Sequence, residues 1–305
     1  MGLLLLLAVL LFPATSFAQA TVPADYQAVL TALGKQGDFK DNVLKVNIPR
    51  NDLHVAIDGV ATPTPFGFGG WLALTKGTGG MDVMMGDLVL TDDEVNPVMS
   101  ALLTNGLDVT ALHNHFFFDT PRIYYMHVHG HGSAADLAAK VKPALALIGA
   151  RLSTSSAGQA PQGAVGTSGR AINGTLDSAS LAKIVGYDGE QNGAVYKITI
   201  GRPDIPLKEM GASINARMGL NTWAAFYGSD ADSVVAGDIA MLDREVTPVL
   251  KSLRSSGIDV VAIHHHMTGV DPQVVFLHYW GKGDARKLAT AFRGAIDQTG
   301  ARPKR

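Results

Sequence analysis

The chain contains no cysteine. That absence excludes disulfide scaffolds, thiolate zinc sites, iron–sulfur clusters and cysteine nucleophiles together, and leaves chemistry to histidine, carboxylates, hydroxyls or a bound cofactor. Charge is also scarce: 17% of the 305 residues are charged and the formal net charge is −2. No lysine or arginine block supplies the electrostatic footprint that a phosphate backbone requires, so no nucleic acid partner is expected. After the first twenty residues no apolar run approaches the ~18 residues of a membrane-spanning helix. What is present is 47% hydrophobic content spread along the chain, enough to bury a core in one large domain or two ordinary ones.

Residues 1–20, MGLLLLLAVLLFPATSFAQA, read as a secretory signal peptide: an apolar run from Leu3 to Phe12, a helix-breaking Pro13 and the small-x-small ending Ala18-Gln19-Ala20. As a helix the run covers only ~15 Å, against a bilayer core of ~30 Å. Cleavage would start the mature chain at Thr21, with a periplasmic or secreted location and no membrane span after cleavage.

The dominant pattern is an internal repeat. Residues 86–132 align without a gap onto 237–283, with 18 of 47 positions identical where chance supplies roughly 3. Upstream the match continues at an offset one residue longer, pairing Gly34 with Gly186, Lys45 with Lys197, Arg50 with Arg202 and Trp71 with Trp223. A period this long points to duplicated domains, which we place at residues 25–150 and 176–301. The intervening stretch, 151–175, is rich in Gly, Ser and Thr and reads as a linker or surface loop.

Within each unit, Val95, Val98, Met99, Leu102 and Leu103, repeated as Val246, Val249, Leu250 and Leu253, form one helical stripe. Thr91 or Asp92 can cap the first of these helices and Asp243 the second, while Gly106 and Gly257 suit left-handed C-terminal caps. The strings LDVTALHNHF and IDVVAIHHHM then read as strands. A connection of about six residues containing Pro121 or Pro272 leads to a second strand and predicts an antiparallel hairpin. A further helix closes each unit, from Ala134 or Ala285. The expected fold is α+β: two tandem copies of a mainly antiparallel sheet with helices packed on one face.

Of ten histidines, nine sit in these two hairpins. Side chains two apart on a strand share a face, so His113 pairs with His115 and His264 with His266, and the partner strand can bring His127 or His278 across to the same patch. His129 and His131 extend the first patch. Three imidazoles per hairpin suit a divalent transition metal, zinc first, with copper or iron as alternatives, and leave a fourth position for water. A lone strand histidine is more often a hydrogen-bonded core residue; the retention of all three in both copies shifts the balance toward metal.

Candidate proton carriers are Glu94, Asp119 and Tyr125, although Glu94 and its repeat Glu245 fall in a helical first turn where capping alone explains a carboxylate. Asp87 and Asp238 fit a turn or a fourth ligand. Phe116 to Phe118 could wall a pocket, and Trp71 and Trp223 read as core. Because only the first hairpin adds His129, His131 and Arg122, where the second has Trp280, Lys282 and Gln273, the expectation is two unequal sites with the first one working.

The strings ALHNHFFFDTPRIYYMHVHGHG, GLNTWAAFYGSDADSVVAGDIAM and AIHHHMTGVDPQVVFLHYWGKG resemble the LppY/LpqO family of exported bacterial proteins, a tandem domain of unknown function, over nearly the whole mature chain. The resemblance implies export and marks the hairpin histidines as the family's motif; it transfers no activity. This sequence departs from the pattern at His265, where Asn114 stands in the first copy. Three classes follow: a metal-dependent hydrolase or lyase acting on a small-molecule or cell-envelope ligand, a metal-binding protein, or a metal-free carbohydrate or cell-envelope binding module. The sequence leaves the oligomeric state open.

Overall fold

The structure, a computed structural model, describes residues 21–150 and 169–301; the stretch read as a signal peptide, 1–20, and most of the one read as a linker, 151–175, lie outside the described residues. The first half begins with helix α1 (Ala24–Leu33) and strands β1 (Gly37–Lys40), β2 (Val43–Pro49), β3 (Val55–Ile57), β4 (Val60–Thr62), β5 (Gly69–Lys76) and β6 (Asp82–Thr91). It continues with α2 (Asp92–Thr104), β7 (Asp108–His113), β8 (Asp119–Thr120), β9 (Ile123–Gly132) and α3 (Ala134–Leu145). The second half repeats this with α4 (Ser178–Val185), β10 (Glu190–Asn192), β11 (Val195–Gly201), β12 (Lys208–Glu209), β13 (Ala212–Ser213) and β14 (Asn221–Gly228). Then follow β15 (Ser233–Leu242), α5 (Asp243–Ser255), β16 (Asp259–His265), β17 (Val274–Gly283) and α6 (Ala285–Ile296).

Each half builds a six-stranded sheet with the same order, β1-β2-β5-β6-β9-β7 and β10-β11-β14-β15-β17-β16, and all its pairings are antiparallel. The fold is α+β, as the patterning predicts. The connection from β7 to β9 is longer than the expected six or so residues, because β7 stops at His113 and the chain makes β8 before Ile123. Both helix caps carry their glycine in the left-handed region, Gly106 at φ 72° and Gly257 at φ 77°. Thr91 caps α2, its backbone N–H donating to Glu94; Asp243 is already helical, and the N–H of Leu242 donates to Glu245 in the matching position.

Alternation along the strands explains the layers. In β6, Met84, Leu88 and Leu90 pack with Val98 and Leu102 of α2 and with Leu137 and Val141 of α3, while Val83, Met85 and Val89 turn to the opposite face. That opposite face is also buried, because the second sheet packs against it. Two mixed clusters join the halves: Val55, Phe66, Phe116 and Tyr125 with Val195, Val234 and Trp280, and the reciprocal set Leu207, Met218, Met267 and Phe276 with Val43, Val83 and Met85. Each half therefore lends a segment that covers its neighbour's sheet. Burying such side chains contributes ~1.5–3 kcal/mol apiece, an interaction that neither half has alone.

The lent segments are short hairpins. Asp58-Gly59 at φ 47° and 74°, and Met210-Gly211 at φ 46° and 80°, supply the positive φ that a two-residue turn between β3 and β4, or β12 and β13, requires. The end of the linker region joins the same layer: Arg170 bridges Val60, and Ile172 is buried in the first mixed cluster. Among the described residues no helix is long and apolar enough to cross a membrane.

Candidate metal centre

The inner faces of the two sheets carry the histidines, and the edge strands β7 and β16 lie side by side there, with Thr110 Oγ1 donating to the His266 carbonyl at 2.7 Å. His127 and His278 stand at equivalent positions of β9 and β17, each directly opposite an aspartate, Asp87 or Asp238. His113 ends β7, and His264 is the penultimate residue of β16. His115 and His266 sit just past the regular part of those strands, yet their rings remain 5.2 and 5.4 Å from the histidine two residues before.

The rings interleave across the halves. His113 stacks on His264 at 3.8 Å, His115 on His278 at 3.6 Å and His127 on His266 at 3.6 Å. Within a half the spacing is wider, 4.8 Å from His113 to His127 and 4.9 Å from His264 to His278. Two triads have ligand nitrogens all within 4.8 Å of one another: His113, His264 and His278, and His127, His264 and His266. Nε2 of His113 lies 3.1 Å from Nε2 of His278. Both ring nitrogens of His115 and His127, and Nε2 of His264, are buried without a hydrogen-bond partner.

The expectation of a separate three-histidine site on each hairpin is therefore corrected. Each triad draws on both hairpins and both triads share His264. The pairings obey a pseudo-two-fold relation in which His115 plays toward His278 the part that His266 plays toward His127. The physical reason is that the hairpin faces are not solvent-facing rims but the buried interface of two sheets, so the nearest imidazole often belongs to the other copy.

Burial first, and repulsion from neighbouring imidazoles second, push His113, His115, His127, His266 and His278 below the usual histidine range, and burial lowers His264 to about 4. The cluster is thus neutral, the form in which imidazole binds metals. Asp87 Oδ1 lies 3.8 Å from His127 Nε2, and Asp238 Oδ2 lies 3.8 Å from His266 Nε2. Burial raises the Asp87 carboxyl to about 8, and burial together with the charge of Asp87 raises Asp238. These aspartates sit in mid-strand beside the imidazoles, not in a turn.

A cavity of about 830 Å³ opens against this cluster, with His115, His266 and His278 in its wall. Pairs from the two halves line it: Lys45 and Lys197, Trp71 and Trp223, Asp87 and Asp238. Each lysine ammonium lies over a tryptophan ring, at 4.5 Å for Lys45 on Trp71 and 4.1 Å for Lys197 on Trp223. Burial lowers both lysines to about 8. The tryptophans are thus half-buried cavity walls and not core. Sequence reading missed the lysines as site residues, although their repeat at matching positions was the available signal.

The candidate proton carriers are otherwise engaged. Glu94 is held by Arg50 at 2.6 Å and accepts the backbone N–H groups of Thr91 and Gly149. Glu245 repeats that role with Arg202, Leu242 and Gly300. Asp119 Oδ2 accepts the Ile123 N–H at 2.7 Å and anchors the connection before β9. Tyr125 donates its hydroxyl to the Gly67 carbonyl and lays its ring on His115 at 3.3 Å, a wall of the centre. Phe116 is core, Phe117 and Phe118 are exposed, and Arg122 is exposed. His129 and His131 form a group apart from the six, with Glu209.

Residues 27–147 and again 179–298 match the family described as Domain of Unknown Function (DUF1259), so the chain belongs to that family and carries its domain twice. No curated protein matches. Among solved structures the chain is similar to a trimeric bacterial microcompartment shell protein, PduB, at 11% identity over 84% of this chain and 88% of that one, with a TM-score of 0.19. It is also similar to EtuB from Clostridium kluyveri, at 8% identity over 96% and 100% of the two chains, with a TM-score of 0.18. At these scores neither likeness supports an argument.

Proposed function

We propose that this chain binds a transition metal ion, zinc first with copper or iron as alternatives, at the histidine centre shared by its two halves, and holds a small anionic molecule in the adjoining cavity. The observation that carries this reading is the convergence of neutral imidazole nitrogens from both halves within 4.8 Å, with those of His127 and Nε2 of His264 buried and unpartnered. Burying so many polar nitrogens without partners is costly unless a cation satisfies them. The lysine pair supports an anionic ligand, and Lewis acidity is what a metal held there would supply to it. On this reading the protein is a metal-dependent hydrolase or lyase of the LppY/LpqO type, exported by the leader at residues 1–20 to the periplasm or medium. Metal analysis of the purified full chain tests it: at least one tightly held equivalent is expected, lost in His264→Ala. Protein that is metal-free and takes up no zinc on titration overturns it. That result would favour a metal-free carbohydrate or cell-envelope binding module, a reading supported by the two tryptophans facing the cavity.

A further inference from the structure

The group formed by His129, His131 and Glu209 lies outside the shared centre and is assembled differently. His129 and His131 are two residues apart on β9 and so present to the same inner face; their rings are 4.7 Å apart and inclined at 73°. Glu209 arrives from the other half, at the tip of the lent hairpin β12–β13. Its Oε1 lies 2.8 Å from His129 Nε2 and 3.5 Å from His131 Nε2. Neither nitrogen makes a hydrogen bond, even at 2.8 Å, and Glu209 Oε2 is also buried and unpartnered. Glu209 and His129 are nearly enclosed, while the His131 side chain is 28% exposed and leaves a path to solvent.

The duplication supplies an internal control. The positions equivalent to His129, His131 and Glu209 are Trp280, Lys282 and Ile57. Ile57 and Trp280 are buried in one apolar cluster, and Lys282 Nζ reaches Asp58 Oδ2 at 3.3 Å. The same backbone frame therefore closes with an apolar pair and a surface ion pair on one side, and with two imidazoles and a carboxylate on the other. All three positions differ together. A buried carboxylate facing two imidazoles with which it makes no hydrogen bond costs free energy unless a positive charge sits between them.

We propose that His129, His131 and Glu209 form a second divalent-metal site, separate from the shared histidine centre, that pins the lent hairpin of the second half to the sheet of the first. Two imidazoles and one carboxylate suit zinc, cobalt(II) or iron(II). Tetrahedral ligands at ~2.0–2.1 Å from a metal stand ~3.3 Å apart, and the 2.8 and 3.5 Å separations bracket that distance.

The test uses the full chain stripped with chelator and titrated with zinc(II), with bound metal counted by mass spectrometry and cobalt(II) absorption read in parallel. Glu209→Gln and His131→Ala should each hold one equivalent fewer than the parent and lose the zinc-dependent rise in Tm that this site supplies, while His264→Ala keeps this equivalent. Unchanged stoichiometry in both Glu209→Gln and His131→Ala overturns the proposal, whatever His264→Ala does. Conversely, loss in Glu209→Gln with no loss in His264→Ala leaves this site standing and removes the shared centre. His131 is partly exposed and its replacement does not open the core, so a folded variant is expected even if Glu209→Gln is unstable.

Discussion

The two faces where the halves lend each other a hairpin make the sharpest comparison in the molecule. Backbone, turn and strand register repeat, yet one face is sealed by Ile57 and Trp280 and the other gathers His129, His131 and Glu209. The central cluster shows the opposite behaviour, since all six of its histidines are paired across the pseudo-two-fold with matching distances. The difference teaches where symmetry constrains chemistry. Near the axis each imidazole stacks on one from the other copy, so a change in one half is felt in the other; away from the axis each face is independent and free to diverge.

The largest expected effect tests that symmetry. His264→Ala should lose the central metal, because both triads use that ligand, whereas His113→Ala takes a ligand from only one of them and should retain more. Equal loss in the two variants, measured on purified protein, would show that the triad containing His113 alone holds the ion. Next come the buried arginines. Arg50→Ala and Arg202→Ala each strand a buried glutamate, and each should lower unfolding free energy in urea by about 3–5 kcal/mol. A much smaller loss in one would show that its half does not depend on the ion pair.

A third change converts one face into the other. His129→Trp combined with Glu209→Ile should leave the chain folded, at a cost within about 3 kcal/mol from imperfect repacking, and should remove one metal equivalent. An unfolded product, or full metal content, would show that the faces are not interchangeable in this sense. The smallest effect concerns acid. Hydrogen bonds from Arg50 and Arg202 hold Asp52 and Asp204 below the usual carboxylate range. Their contribution is complete above the unfolded value near pH 4 and is lost as pH falls through the lowered folded value. Because Asp52 is half exposed, solvent screening keeps it below about 1 kcal/mol. Unfolding measured from pH 2 to 5 should show a flatter acid slope in Asp52→Asn and in Asp204→Asn, by similar amounts; no change in either would discount these ion pairs.

Much of each half was legible in the chain. The stripe from Val95 to Leu102, the left-handed Gly106 and the alternation around His113 and His127 follow from local rules of period, capping and pleat, and these act over a few residues. The hairpins β3–β4 and β12–β13 went unread although Asp58-Gly59 is a turn signal, because their strands are only two or three residues long. Glu209 was invisible as a site residue: no spacing links it to His129, and its own neighbours Lys208 and Met210 suggest only an exposed turn.

By itself, then, the sequence determined the duplication, the composition of each sheet and the identity of the histidines, since periodicity and repetition are properties of one dimension. Tertiary structure alone decided that the two inner faces meet, that His113 stacks on His264 instead of serving its own hairpin, and that Glu209 crosses to the other half. The reason is physical: a β-strand dictates which face a side chain occupies but not what covers that face, and here the cover is the other copy of the same fold.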